Sequence, residues 1–180
     1  MQNRKNWAVS IIAMLMVASM AACTAAPVAV PDRPIEVSVE TALAAQNNGM
    51  AGLMAGNAEW TEEEFSSLLS VLLEQNSGEN NPVEDVNVWF EPNNQIFIRV
   101  NLSEGVINGV STLDLAGSVS VENNQVVVDL QQAGAGNMSV TGSVLAPLSA
   151  QINAALADPS MGVAVDVTTD TGMISVGLGM

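Results

Sequence analysis

This chain has no histidine and no tyrosine, a single cysteine at Cys23, and four basic residues against 19 acidic ones. Each shortage removes some chemistry. Without histidine there is no imidazole to act as a general base. One thiol makes no internal disulfide, and zinc sites built from His and Cys are excluded. Arg4 and Lys5 lie ahead of Cys23, so only Arg33 and Arg99 stand beyond it against all the acids, and the whole chain carries a formal −15. A surface of that sign repels phosphates, which excludes nucleic-acid binding and disfavours anionic headgroups. Catalysis by paired carboxylates stays open in principle. The acids fall in turns, on strand exteriors and at a helix start, however, so no catalytic residue, metal ligand or cofactor is assigned.

The one long apolar stretch covers residues 7–20, which is 14 residues. As a helix it rises about 21 Å, short of the roughly 30 Å hydrocarbon core. With the basic Arg4-Lys5 ahead and the small Ala21-Ala22 behind, residues 1–22 read as a signal peptide. Met20-Ala21-Ala22-Cys23 resembles the bacterial lipoprotein box, with Met where Leu is commoner. The resemblance implies that Cys23 is acylated, becomes the new N-terminus and anchors an exported domain to a bacterial membrane. The alternative is an ordinary secretory signal with a stray thiol. Each buried methylene would add about 0.8 kcal/mol to anchoring. Residues 23–34 read as a tether. Pro27, Pro31 and Pro34 favour polyproline geometry, with a reach of about 30–35 Å.

Residues 35–180 read as a single α+β domain. Residues 35–39 are a short strand or the lead-in to a helix. Residues 38–54 are Ala-rich but carry Asn47-Asn48-Gly49 and Gly52, so a helix broken near Asn47 is expected. Its Met50, Leu53 and Met54 either fill core gaps or line something apolar. Residues 61–75 form the best-marked helix. Thr61 and Glu64 make a capping box, and Trp60 and Phe65 occupy staple positions. Phe65, Leu68, Leu69, Leu72 and Leu73 share one face.

Strand signals follow. Val86, Val88 and Phe90 alternate with Asn87, Trp89 and Glu91. After Pro92-Asn93-Asn94, Ile96, Ile98, Val100 and Leu102 alternate with Phe97, Arg99 and Asn101. Trp89 and Phe97 fall on the polar face, either paired across the strands or forming a patch for a partner. Residues 106–122 read as a long strand bending at Gly117, then Asn123-Asn124, then a strand with Val126, Val128 and Leu130 inward. Residues 134–142 read as a Gly-rich mobile link, and 144–157 as a helix striped by Leu145, Leu148, Ile152 and Leu156. A last hairpin turns at Asp170-Thr171-Gly172. The expected fold is a curved antiparallel meander of about six strands wrapped on a C-terminal helix, with one or two N-terminal helices.

That order, with "NVWFEPNNQIFIRV", "STLDLAGSVSVENNQVVVDL" and "VLAPLSAQINAAL", resembles bacterial envelope proteins of the YpmS-like and LmeA-like kind, related to the tubular lipid-binding (TULIP) fold. The resemblance covers roughly residues 59–178 and carries over no functional residue. It implies a sheet curled about a helix and an apolar interior that holds lipid. Candidate lining residues are then Phe65, Leu69, Leu72, Ile96, Ile98, Leu115, Val128, Leu148 and Ile152, which otherwise simply make a dry core. The expected partners are the membrane, through Cys23, and a hydrophobic small molecule or lipid. The alternative is an acidic module displayed for a protein partner.

Overall fold

The computed structural model describes residues 27–77, 83–103, 110–136, 138–140, 142–157 and 163–178. The expected signal peptide, Cys23 and the first residues of the expected tether lie outside them. Among the described residues the chain runs α1 (Val39–Ala55), β1 (Asn57–Thr61), α2 (Glu62–Ser77), β2 (Val83–Glu91), β3 (Gln95–Leu102), β4 (Thr112–Glu122), β5 (Gln125–Ala135), β6 (Met138–Val140), α3 (Gly142–Leu156), β7 (Ala164–Asp170) and β8 (Met173–Leu178). It is an α+β fold with two antiparallel sheets, ordered β2-β3-β4-β5-β6 and β1-β8-β7.

Local signals account for most of these elements. Ser38 caps α1, its hydroxyl accepting from the Thr41 N–H at 3.0 Å, and Gly56 closes it with φ 82°. The capping box of α2 is formed both ways: Glu64 N–H donates to Thr61 Oγ1 at 3.2 Å, and Thr61 N–H to Glu64 Oε2 at 3.0 Å. At the β4–β5 turn Asn123 and Asn124 take φ 51° and 65°. Two positive φ angles suit a two-residue hairpin turn, and Asn tolerates them.

Three expectations change. First, α1 runs unbroken through Asn47-Asn48-Gly49. Its glycines lie where the helix presses on β1. A Cβ at Gly49 would meet Trp60 at 3.0 Å, and one at Gly52 would collide with Ala58. Close packing there outweighs a propensity cost of about 1 kcal/mol per glycine. Second, the Gly-rich link is partly strand, since β6 pairs with the end of β5. Third, the strands do not form one six-stranded meander ending on a helix. Residues 57–61 become β1, which pairs with β8 along its length, so the last hairpin belongs to a separate sheet that follows α3.

The sheets separate because side chains occupy the strand edges. Along the free edge of β2, Phe90 N–H donates to Glu62 Oε1 at 2.9 Å, Val88 N–H to Ser66 Oγ at 2.8 Å and Val86 N–H to Ser70 Oγ at 3.0 Å. Four helical residues rise about 6.0 Å and two strand residues about 6.8 Å, so an i, i+4 polar stripe stays nearly in step with alternate amides. On the other side α3 does the same locally. Asn153 takes the Val128 N–H at 2.8 Å, and Ser149 and Asn153 donate to its carbonyl. The edge of β7 is met by hairpin tips: Asn94 accepts from Thr169 N–H and donates to the Val167 carbonyl, and the Asn124 carbonyl accepts from Ala164 N–H. Covered edges do not recruit further strands.

Candidate functional site

The nine candidate lining residues are brought together, but as packed interior. Phe65, Leu69, Leu72, Ile96, Ile98, Leu115, Val128 and Ile152 are buried members of one hydrophobic cluster, and Leu148 packs against it half-buried. Register explains the convergence: Val88, Ile98, Leu115 and Ala133 stand opposite one another across four strands, beside Phe90, Ile96, Gly117 and Leu130. Phe65 from α2 meets the Phe90 ring edge-on at 5.2 Å between centroids. Of the nine, Leu72 also reaches a surface groove.

That groove runs between α1 and α2. Val39, Ala42, Leu43, Gln46, Leu68, Val71, Leu72 and Gln75 line about 90 Å³ of space. Beside it α1 shows Val39, Leu43, Met50 and Met54 to solvent, with Met54 88% exposed. At about 100° per residue these four fall within roughly 60° of arc, so they form one stripe. Only Glu40 is charged in the 17 residues of α1. Met50 and Met54 therefore do not fill the core. The sequence signal for this surface was present in the apolar spacing of 39, 43, 50 and 54, but periodicity does not say whether a stripe faces inward or outward.

The two arginines beyond Cys23 converge on Trp89. Arg33 reaches Glu62 with two nitrogens, at 2.6 and 3.2 Å, and Glu91 with a third at 2.8 Å. Its carbonyl accepts from Trp89 Nε1 at 2.9 Å. The Arg99 guanidinium pairs with Asp114 at 2.7 and 3.0 Å and sits 5.9 Å from the Trp89 ring centroid. The hydrogen bonds that Arg33 donates to Glu62 and Glu91 raise its pKa, and the bond to Asp114 raises that of Arg99. The Arg33 guanidinium holds the Glu91 carboxyl below its usual range. Trp89 pairs directly with Phe97 and is almost fully covered, so it forms no open aromatic patch. Arg33, which the sequence places in the expected tether, is thus clamped to the domain.

On the outer face of the large sheet, Asn93, Gln95, Phe97, Ala116, Gly117, Ser118, Gln131 and Gln132 line an open cleft of about 350 Å³. Sequence reading gave no hint of it, because it depends on a bulge: Ala116 faces Gln132 and Gly117 faces Leu130, leaving Gln131 as the extra residue. Among the described residues no group of three or more carboxylates is placed to hold a metal ion, and no helix is long and apolar enough to cross a membrane. No family model, curated protein or solved structure matches this chain.

Proposed function

We propose that this is an exported, non-enzymatic protein of the bacterial envelope. It is anchored through acylated Cys23 and engages an apolar molecule of the membrane, an acyl chain above all, at the outer face of α1. The observation that carries this reading is the stripe of Val39, Leu43, Met50 and Met54, opening into the α1–α2 groove, on a helix with one charged residue in a chain with net charge −15. Covering each of these side chains is worth on the order of 1–2 kcal/mol. The leash supports it too. Arg33 lies ten residue steps beyond Cys23, a reach of about 31 Å in polyproline geometry, so the anchor holds α1 within about one bilayer thickness of the lipid. The resemblance to tubular lipid-binding proteins enters here: α3 lies along β5 through Ser149 and Asn153, and in this reading the large sheet curls about that helix while the apolar contact lies outside it.

A second reading, an acidic module for a protein partner, is favoured by the filled interior at Ile98, Leu115 and Val128. One pair of measurements separates the two. Intact mass of the membrane-extracted protein is expected to show an acylated N-terminal Cys23. Residues 24–180 are expected to float with phosphatidylcholine vesicles, and Leu43→Asp with Met54→Asp to cut the bound fraction about tenfold or more. Flotation that ignores both substitutions would sink the apolar-contact reading and leave the protein-partner one.

A further inference from the structure

The outer cleft of the large sheet is a different kind of site from the α1 stripe, and its chemistry is specific. Four carboxamides converge on it, from Asn93, Gln95, Gln131 and Gln132, with the Ser118 hydroxyl and the half-buried Phe97 ring. The bulge at Gln131 explains how neighbours 131 and 132 both reach it: alternation along β5 is interrupted there, and both side chains stand exposed at the cleft. Gln131 donates to Ser118 at 3.4 Å. Among the described residues the side-chain amides of Asn93, Gln95 and Gln132 form no hydrogen bond with the protein, so their donors and acceptors are unspent.

We propose that this cleft binds a neutral saccharide. A carboxamide offers two donors and one acceptor, which matches hydroxyls that both give and take hydrogen bonds. An aromatic side chain provides apolar contact for the C–H groups of a sugar ring. No charged side chain lines the cleft. The nearest members of its cross-strand row are the acids Glu91 and Asp129, opposite Gln95 and Ser118. Arg33 is spent on Glu62 and Glu91, and Arg99 on Asp114, so neither arginine is free for an anionic ligand, and Asp129 opposes one. The polar rim gives an acyl chain nothing to bury against. A volume of about 350 Å³ lies at the low end of the roughly 300–1,000 Å³ typical of small-molecule sites, enough for a mono- or disaccharide unit of a longer glycan. This site does not depend on the lipid anchor or on the α1 surface.

Saturation-transfer NMR tests it on the full chain. The protein is held in lauryldimethylamine oxide so that no glycosidic detergent competes. The probes are triacetylchitotriose and maltotriose, with trigalacturonic acid as the anionic control. Transfer to ring protons of at least one neutral trisaccharide is expected, and little to the acid. Gln95→Ala and Gln132→Ala each lose about fivefold to tenfold in affinity, with unchanged thermal unfolding because neither amide supports the fold. Phe97→Ala is a poorer probe, since Phe97 pairs with Trp89 inside the sheet. Absence of transfer from both neutral sugars at about 5 mM, equal transfer from the acid, or affinity untouched by both glutamine substitutions would overturn the proposal.

Discussion

Helices α1 and α2 pack side by side and differ by one residue in length, 17 against 16, yet the rest of the fold uses them in opposite ways. α2 is committed on two sides. Phe65, Leu68, Leu69, Leu72 and Leu73 enter the core, while Glu62, Ser66 and Ser70 cover the edge of β2. α1 is committed on one. It presses Ala42 and Ala45 inward, places Gly49 against Trp60 and Gly52 against Ala58, and leaves Val39, Leu43, Met50 and Met54 outside. The lesson concerns what an apolar stripe means. Large residues on α2 mark the core. On α1 small residues mark the buried face, because close approach to a strand needs them, and the large ones mark a surface that meets something else.

The contrast is broken most sharply by truncating one apolar residue from each helix. Phe65→Ala is expected to cost about 3–5 kcal/mol, as a buried aromatic removed from a packed core. Met54→Ala is expected to stay within about 0.5 kcal/mol. Urea unfolding of the two variants decides it, and equal losses would mean that α1 is held by its outer face. Next comes the edge. Ser66→Ala leaves the buried Val88 N–H without its acceptor and is expected to cost about 1–3 kcal/mol. Ser149→Ala on α3 is expected to cost under about 1 kcal/mol, because Asn153 still serves the Val128 carbonyl. Below Ser66 comes the cap: Thr61→Ala should lower stability by about 1 kcal/mol, with the loss read from the same unfolding curves.

The smallest effect is one of pH. The Glu91 carboxyl is held below its ordinary value of 4.5 by the hydrogen bond from Arg33. A carboxyl with a lowered folded pKa binds fewer protons folded than unfolded between the two values. Its contribution is therefore complete above about pH 4.5 and fades as the pH falls through the lower folded value. Glu91→Gln is expected to flatten that part of the stability profile, and thermal melts from pH 6 to pH 3, each value taken as approximate, would show it. An unchanged slope would mean that the Arg33–Glu91 contact adds nothing beyond Arg33–Glu62.

Much of the fold was legible. The capping box at Thr61 and Glu64, both Asn-Asn turns, the inward set on β3 and the late helix follow from local chemistry that the residues carry by themselves. What was missed shares one cause. β1 is five residues long and overlaps the staple and cap signals of α2, so its pairing with β8 is visible only once residues 57 and 177 are brought together. The two Asn-Asn turns have a second role, closing the edge of β7 with Asn94 and Asn124, and that role is a long-range one. The candidate lining residues were correctly grouped by face, but only their packing shows that they fill the interior, and the cleft beside Phe97 awaited the bulge at Gln131.

The sequence by itself determined the charge, the residues with which to do chemistry, the helices and hairpins, and which side of each strand is apolar. These depend on composition and on periods of 2 and 3.6 residues, which act over a few neighbours. Only the tertiary structure decided which edges close, which helix keeps an apolar face outside, and that Arg33 is clamped to the domain. Those depend on partners far apart in the chain, such as Arg33 with Glu91 and Asn94 with Thr169. No local pattern encodes them, because each half of such a pair is satisfied equally well by water until folding brings the other half to it.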